Sequence, residues 1–325
     1  MEYRTLGNSQ LQVSVLSLGS AHIYDRLTMD EVVALLQAAI AAGINWFDVG
    51  YYTSETNPER PVSTTDFRFA RGIELAGIKR EQYYQTSKLW YGGKRPTFKA
   101  QLAQALPRAN TDYADVAIYN PATAHHYGQK VDMKAITEQM AGLVADGWIR
   151  QWGINHAWPS EIREACEFAV KEGMPLPCCM QVPYSAVARE MMEDPDLLEV
   201  SNDFDLAFQV SNPLAVGVLA GRPRAQATRH LGQAPLAAHA EAILPQLTAL
   251  AESVGATKAQ LVLAFATTYP RTASVLFGCR GTAQLEEDLG ALDLLARLGA
   301  DGVRDLLKDL PQNPEQAKVD ESWEA

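Results

Sequence analysis

The sequence has few cysteines and no long apolar run. Its 325 residues include four cysteines, none of which has the spacing of a metal site. Two of them, Cys178 and Cys179, lie in the apolar stretch PLPCCMQV, which favours buried thiols. No run approaches the roughly 18 apolar residues of a membrane span, and the start MEYRTLGNSQ has no apolar signal segment. We therefore expect a soluble cytoplasmic protein that has no metal site and does not bind membranes.

Positive charge is also scarce. Lysine and arginine number 28 against 39 acidic residues, and the formal net charge is −11. This balance argues against nucleic acid or an anionic membrane as a main partner, although a local basic pocket could still bind a small anion. Hydrophobic residues make up 47% of the chain, enough for a sizeable core. We expect a small-molecule substrate, and the sequence leaves the oligomeric state open.

Short apolar runs alternate with longer helical patterns along the chain. Several runs are almost continuously apolar, as parallel strands covered by helices are. Eight such units predict an α/β fold, the (β/α)₈ TIM barrel. The predicted strands are 13–19, 44–49, 83–88, 115–120, 149–155, 178–183, 206–211 and 273–278.

Further local signals fit this barrel. Thr28 with Glu31, and Thr257 with Gln260, form capping boxes that predict helix starts. Residues 2–6 and 11–14 predict an N-terminal β-hairpin with its turn at residues 7–10. We expect one barrel domain over residues 1–310 and a charged tail over 311–325.

Polar residues are concentrated at the predicted C-terminal strand ends, where such barrels carry their chemistry. Asp48 and Lys88 are the sharpest pair, because a lysine that ends an apolar strand needs a partner or solvent. The pair could be a structural ion pair between neighbouring strands. Alternatively, Lys88 could lower the pKa of a nearby tyrosine and activate it as a proton donor.

Eight blocks in register resemble the aldo-keto reductase family, from residue 1 to about residue 295. The resemblance implies an NAD(P)H-dependent carbonyl reductase with an Asp, Tyr, Lys and His tetrad. Asp48 and Lys88 match it, but Thr53 stands at the tyrosine position, with Tyr52 one residue earlier, and Asn120 stands at the histidine position. The blocks are EYRTLGNSQLQVSVLSLGS, FDVGYY, YYQTSK, TDYADV, LVADGWIRQWGIN, QVPYS, NPLAVGVLAGR and VLFGCRGTAQLEED.

The same resemblance implies a dinucleotide site. Asn155 and His156 stand where a Ser-Asn pair usually holds the nicotinamide amide, and Ser211 stands where a tyrosine usually stacks. Gln284 stands where an arginine often grips the 2′-phosphate, so the cofactor could be NADP or NAD, with NADP slightly favoured by the family. The implied cofactor residues are Ser20, Asn155, His156, Gln181, Ser211, Asn212, Leu214, Gly278, Arg280, Gln284, Glu287 and Asp288.

Three functions remain open at this point. In the first, Tyr52 is the proton donor of a reductase, with its neighbour Tyr51 as the alternative donor, and the Asn120 amide hydrogen-bonds the substrate oxygen. In the second, hydride chemistry is lost, and the barrel runs an elimination, hydration or isomerisation. Histidines at the rim would then supply an acid or base, namely His22, His125, His126 and His156. In the third, the protein binds a ligand without catalysis.

Overall fold

Eight parallel strands close into a barrel in the computed structural model of the protein. The structure describes residues 1–52, 62–92, 95–121, 124–125, 128–155, 157–224 and 234–313. The last strand, β10, pairs with the first barrel strand, β3, through Val275 and Leu16. The predicted TIM barrel is thereby confirmed. Its strands are β3 (Leu16–Gly19), β4 (Trp46–Asp48), β5 (Tyr84–Trp90), β6 (Ala114–Asn120), β7 (Ile149–Asn155), β8 (Cys179–Pro183), β9 (Ala207–Ser211) and β10 (Thr272–Phe277).

Helices surround this barrel. Both capping boxes are present: Thr28 accepts from the backbone of Glu31, and Thr257 accepts from that of Gln260. The last helix is interrupted at Gly299, whose φ of 71° is left-handed. The helices are α1 (Met29–Ala41), α2 (Thr65–Leu75), α3 (Phe98–Arg108), α4 (Met133–Ala145), α5 (Pro159–Glu172), α6 (Pro195–Asp203), α7 (Ala234–Ser253), α8 (Lys258–Thr267) and α9 (Thr282–Leu307).

The predicted hairpin is confirmed and covers the N-terminal end of the barrel. Strands β1 (Tyr3–Thr5) and β2 (Gln12–Ser14) pair antiparallel. Their turn passes so close to the barrel that a Cβ on Gly7 would collide with the Cys178 carbonyl oxygen. The hairpin is held from the side as well, because Asn8 donates to the Pro177 carbonyl at 2.8 Å. The opposite, C-terminal end is where barrels of this kind carry their ligand sites.

Buried side chains fill the barrel interior and the layer between strands and helices. All four cysteines are free and buried, and burial raises the pKa of both Cys166 and Cys279 to about 12. At neutral pH Cys166 and Cys279 are therefore protonated thiols and not thiolates. No helix in the described ranges is both long and apolar enough to cross a membrane. Most of the predicted tail, from residue 314 onward, lies outside the described residues.

Candidate active site

A network of buried polar side chains crosses the C-terminal end of the barrel. Oδ2 of Asp48, at the end of β4, lies 3.2 Å from Nζ of Lys88 on β5. Gln181 on β8, a strand on the opposite side of the barrel, donates from Nε2 to the same oxygen at 2.8 Å. Gln181 also donates to Oε1 of Gln209 at 2.7 Å. The network thus fixes one carboxylate in the middle of the barrel mouth.

The predicted contact between Asp48 and Lys88 is present, and the pair is buried. The side chain of Asp48 is 2% exposed and that of Lys88 is 12% exposed. Burial by itself lowers the pKa of Lys88, but the Asp48 carboxylate and the Tyr52 phenol outweigh it, so the net pKa is raised. Lys88 therefore stays an ammonium ion in a water-poor place.

Tyr52 is the tyrosine whose phenol interacts with the Lys88 ammonium group. Its ring folds back over Gly50, where a Cβ would lie 2.8 Å from the phenol oxygen. Burial raises the pKa of Tyr52 to about 12, and Lys88 opposes this rise without overcoming it. The expectation that Lys88 brings the phenol close to neutral titration is therefore not met in the isolated protein. Tyr52 is a neutral phenol at pH 7, the form that can donate a proton.

The structure distinguishes Tyr52 from its neighbour Tyr51. The Tyr51 ring faces the guanidinium of Arg108, whose central carbon lies 4.3 Å from the ring centroid. Arg108 is held in place by Asp66, which accepts from Nε at 2.5 Å and from a terminal nitrogen at 2.8 Å. Tyr51 therefore belongs to a rim cluster on α2 and α3, whereas Tyr52 belongs to the polar network.

The close approach of Tyr52 to residue 50 gives a test of its position. In Gly50→Ala the new methyl group would lie 2.7–2.9 Å from two ring carbons and the phenol oxygen of Tyr52. The ring end is free to shift, so we expect the protein to fold but the phenol to be displaced. A misplacement of about 1 Å can cost about 100-fold in rate. Turnover and thermal unfolding of Gly50→Ala would measure this effect, with Gly142→Ala on the exposed face of α4 as the control, because an added Cβ there meets no other atom. An unchanged rate in Gly50→Ala would contradict the placement.

Asn120 is the last residue of β6, the strand beside β5, which carries Lys88. Its strand pairs with that of Lys88, and Asn120 lies opposite Trp90 in the register. Asn120 is 2% exposed, and its backbone carbonyl accepts from Tyr91 at 3.1 Å. An amide at this place can donate a hydrogen bond but cannot release a proton.

Several buried polar atoms around the barrel mouth have no hydrogen-bond partner among the described residues. They are Oγ of Ser20, Oδ1 of Asp48, Oδ1 of Asn155 and Oγ of Ser211. An unmade hydrogen bond of this kind costs about 1–3 kcal/mol, so a cluster of them indicates that a polar ligand completes the site. The serines and the asparagine end or follow β3, β7 and β9, which brings three of the predicted cofactor residues to one face.

Of the predicted residues after β9, Asn212 shapes a turn and Leu214 packs in the core. Asn212 has a left-handed φ of 51°, and its Oδ1 accepts from the Val216 amide at 2.7 Å, which shapes the turn beneath Ser211. The Leu214 side chain is 7% exposed within the hydrophobic core, so it can offer a ligand little contact. Two predicted rim residues, His126 and His156, lie outside the described residues.

The predicted residues after β10 stand at the start of α9. Oε1 of Gln284 accepts from the Arg280 amide at 3.1 Å, and its Nε2 donates to Oδ2 of Asp288 at 3.4 Å. Burial, aided by the charge of Glu287, raises the pKa of Asp288 to about 7. Gly278 and Arg280 are exposed on the loop, and this loop adjoins the Ser20 loop because β10 pairs with β3.

Two residues of the site were not predicted from the sequence. Gln209 is a glutamine within the apolar run LAFQVS, and that contrast is the signal that could have identified it. Asp25 accepts from Ser63 and Thr64, and lies 3.4 Å from His22. Ser63 is distant from Asp25 in the chain, so no local pattern announces this contact. No group of three His, Cys, Asp or Glu side chains suited to a metal occurs in the described part of the chain.

Comparison with known proteins assigns the chain to a family. The model of the aldo/keto reductase family matches residues 15–305. The chain belongs to this family. A probable voltage-gated potassium channel subunit beta from Arabidopsis thaliana is 25% identical over 338 aligned positions, which cover 97% of this chain and 99% of that protein. Membership of the aldo/keto reductase family supports an oxidoreductase-like role, and the family generally uses NAD(P)H.

Proposed function

We propose that this member of the aldo/keto reductase family reduces a small carbonyl compound with NADPH or NADH, or oxidises the corresponding alcohol. The observation that supports it best is the buried Lys88 ammonium, which lies 3.2 Å from Asp48 and close enough to Tyr52 for its charge to act on the pKa of the phenol. A structural ion pair alone would not require a neutral phenol beside it. Family membership over residues 15–305 supports the same reaction class.

In this proposal Tyr52 donates the proton to the substrate oxygen. The oxygen gains negative charge as the carbonyl is reduced, and the Lys88 ammonium stabilises the phenolate that remains. Asp48 holds Lys88 in position, and Gln181 holds Asp48. The Asn120 amide would donate a second hydrogen bond to the substrate oxygen. Such donors are typically worth about 3–4 kcal/mol in the transition state.

The buried polar atoms suit a dinucleotide. Ser211, Asn155 and Ser20 would hold the nicotinamide end, and Arg280 with the backbone at the start of α9 would hold the phosphates. The bound nicotinamide supplies the hydride that this reaction needs. The Gln284 amide is neutral and is already hydrogen-bonded to the Arg280 backbone and to Asp288. It therefore offers no cation to a 2′-phosphate, and both NADPH and NADH are candidates.

Cofactor titration tests this function directly. We expect the intrinsic fluorescence of the protein, and that of NADPH or NADH, to change on binding. Ser20→Phe should overpack the nicotinamide end at a cost of about 1–3 kcal/mol, equal to roughly 5- to 150-fold in affinity. Ser253→Phe, on the exposed end of α7, is the matched control and should bind as the wild type does.

The outcome also separates the alternatives. Binding followed by oxidation of NADPH in the presence of 4-nitrobenzaldehyde would support the reductase. If neither dinucleotide binds, the reductase proposal fails, and a non-redox reaction or plain ligand binding takes its place.

A further inference from the structure

His22 is held in an unusual backbone conformation beside the proposed proton donor. It lies in the loop after β3 with a φ of 52°, a left-handed region that side chains other than glycine rarely adopt. Its imidazole centroid is 5.3 Å from that of the Tyr52 ring, and the two planes are inclined by 31°. Strained residues of this kind cost about 1–3 kcal/mol and cluster at functional sites. Six other described residues besides glycine share a positive φ, so it is the ring contact with Tyr52 that sets His22 apart.

Asp25 fixes the orientation of this imidazole. Nδ1 of His22 lies 3.4 Å from Oδ2 of Asp25. Burial would raise the pKa of Asp25, but hydrogen bonds from Ser63 and Thr64 and the charge of His22 outweigh it, so the pKa is lowered. Those bonds are short, at 2.6 Å from Ser63 Oγ and 2.9 Å from each of the two Thr64 donors. A carboxylate at Nδ1 keeps the proton there, which makes Nε2 the nitrogen that exchanges protons.

The proposed reaction leaves a phenolate that must regain a proton. Asn120 has no proton to give, and Lys88 is held as an ammonium ion by Asp48. An imidazole is the side chain that titrates closest to neutral pH. Among the described residues, the aromatic neighbours of Tyr52 are His22 and Trp90, and the indole cannot serve as an acid.

We propose that His22 is the proton relay of this site. Its imidazolium transfers the Nε2 proton to the Tyr52 phenolate, directly or through one water molecule, and the neutral imidazole then takes a proton from solvent. One proton is lost and regained at each group, so the relay is balanced. The inference rests on the proposed reductase function. It identifies a positioning and relay residue on the loop after β3, away from the β6 end where Asn120 stands.

Other charged groups face this loop from the elements around it. Asp25 favours the charged imidazole. On α2, Arg68 donates to the Tyr24 carbonyl at 2.7 Å and to that of Leu27, and its charge disfavours the imidazolium. Asp66 on α2 and Lys88 on β5 act on Tyr52 with opposite signs. Arg26 lies on the loop itself and is exposed.

Two variants of His22 separate a proton role from a structural one. His22→Asn retains a residue that tolerates the left-handed backbone but cannot relay a proton. His22→Gly accepts the same backbone and leaves space for an added base. With NADPH and 4-nitrobenzaldehyde we expect kcat to fall about 100-fold or more in both, with KM and NADPH affinity little changed. Added imidazole should restore turnover in His22→Gly, where it can occupy the vacated space, and not in His22→Asn, where the side chain fills that space. A residue that only packed against Tyr52 would show no such rescue.

The same variants distinguish failure of the relay from failure of the function. If the wild type oxidises NADPH and both variants match it, with no effect of imidazole, the relay is overturned and the reductase stands. If the wild type itself does not turn over, the reductase and the relay fail together.

A second readout needs no cofactor. The proton NMR titration of the His22 ring, assigned by its disappearance in His22→Asn, should move down by about one pH unit in Asp25→Asn, because the carboxylate that favours the charged ring is gone. A titration that does not move would overturn the role of Asp25 and with it the relay.

Discussion

Tyr52→Phe is expected to lower kcat by about 100- to 10,000-fold, the usual range for removal of a general acid. The change deletes one hydroxyl and keeps the ring, which packs 5.3 Å from His22 and 6.5 Å from Trp90 between centroids. We therefore expect thermal unfolding and cofactor affinity to stay close to the wild type. Loss of rate with binding retained is the signature of a group that acts in the transition state.

Tyr51→Phe provides the matched control for this experiment. It removes the same atom one residue earlier, from a ring that faces Arg108 in the rim cluster. Its kcat should equal that of the wild type. Steady-state rates and cofactor titrations of both variants measure the difference. Equal rates in Tyr52→Phe and the wild type would mean that the proton comes from another group, whereas a loss confined to Tyr51→Phe would reverse the assignment.

Lys88→Met should have the largest effect on stability. It leaves the Asp48 carboxylate buried without its ammonium partner, and breaking a buried ion pair in this way costs about 3–5 kcal/mol. The free energy of unfolding should fall by about that amount. Asp48→Asn should be costly for the same reason, since the Lys88 ammonium would then lack its partner.

The double variant Asp48→Asn with Lys88→Met separates stability from chemistry. Because neither charge remains, most of the stability should return, since a buried pair is often no better than neutral residues of similar volume. Turnover should stay lost, because no ammonium remains near Tyr52. Urea unfolding and kcat of the four proteins would give the coupling. If the double variant were as unstable as the sum of the two single variants, the charges would not be interacting as the 3.2 Å contact implies.

The sequence was sufficient to predict the barrel and the central pair of the site. Nearly continuous apolar runs and two capping boxes depend on residues close together in the chain, so they can be recognised from the sequence alone. Asp48 and Lys88 were predicted to meet because the C-terminal ends of parallel strands meet at one edge, and their atoms are 3.2 Å apart.

The rest of the site depends on contacts between distant segments. Whether Tyr51 or Tyr52 enters the barrel is decided by Arg108 and Asp66 on two helices, and no pattern near residue 50 contains that information. The pKa of Tyr52 near 12 depends on how deeply the loop buries the ring, which Lys88 alone does not determine. The contact of Asp25 with Ser63 is of the same kind.

The closure between β10 and β3 also bears on how the chain is made. The Val275 amide donates to the Val15 carbonyl at 2.8 Å, so the first barrel strand depends on the last one to complete its hydrogen bonds. During synthesis β3 leaves the ribosome early. The edge that will pair with β10 stays unpaired until almost the whole polypeptide has emerged. Exposed edges of this kind are prone to aggregation. Nascent chains truncated before residue 272 should consequently need chaperone protection, whereas chains long enough to bring Phe277 out of the ribosome can close.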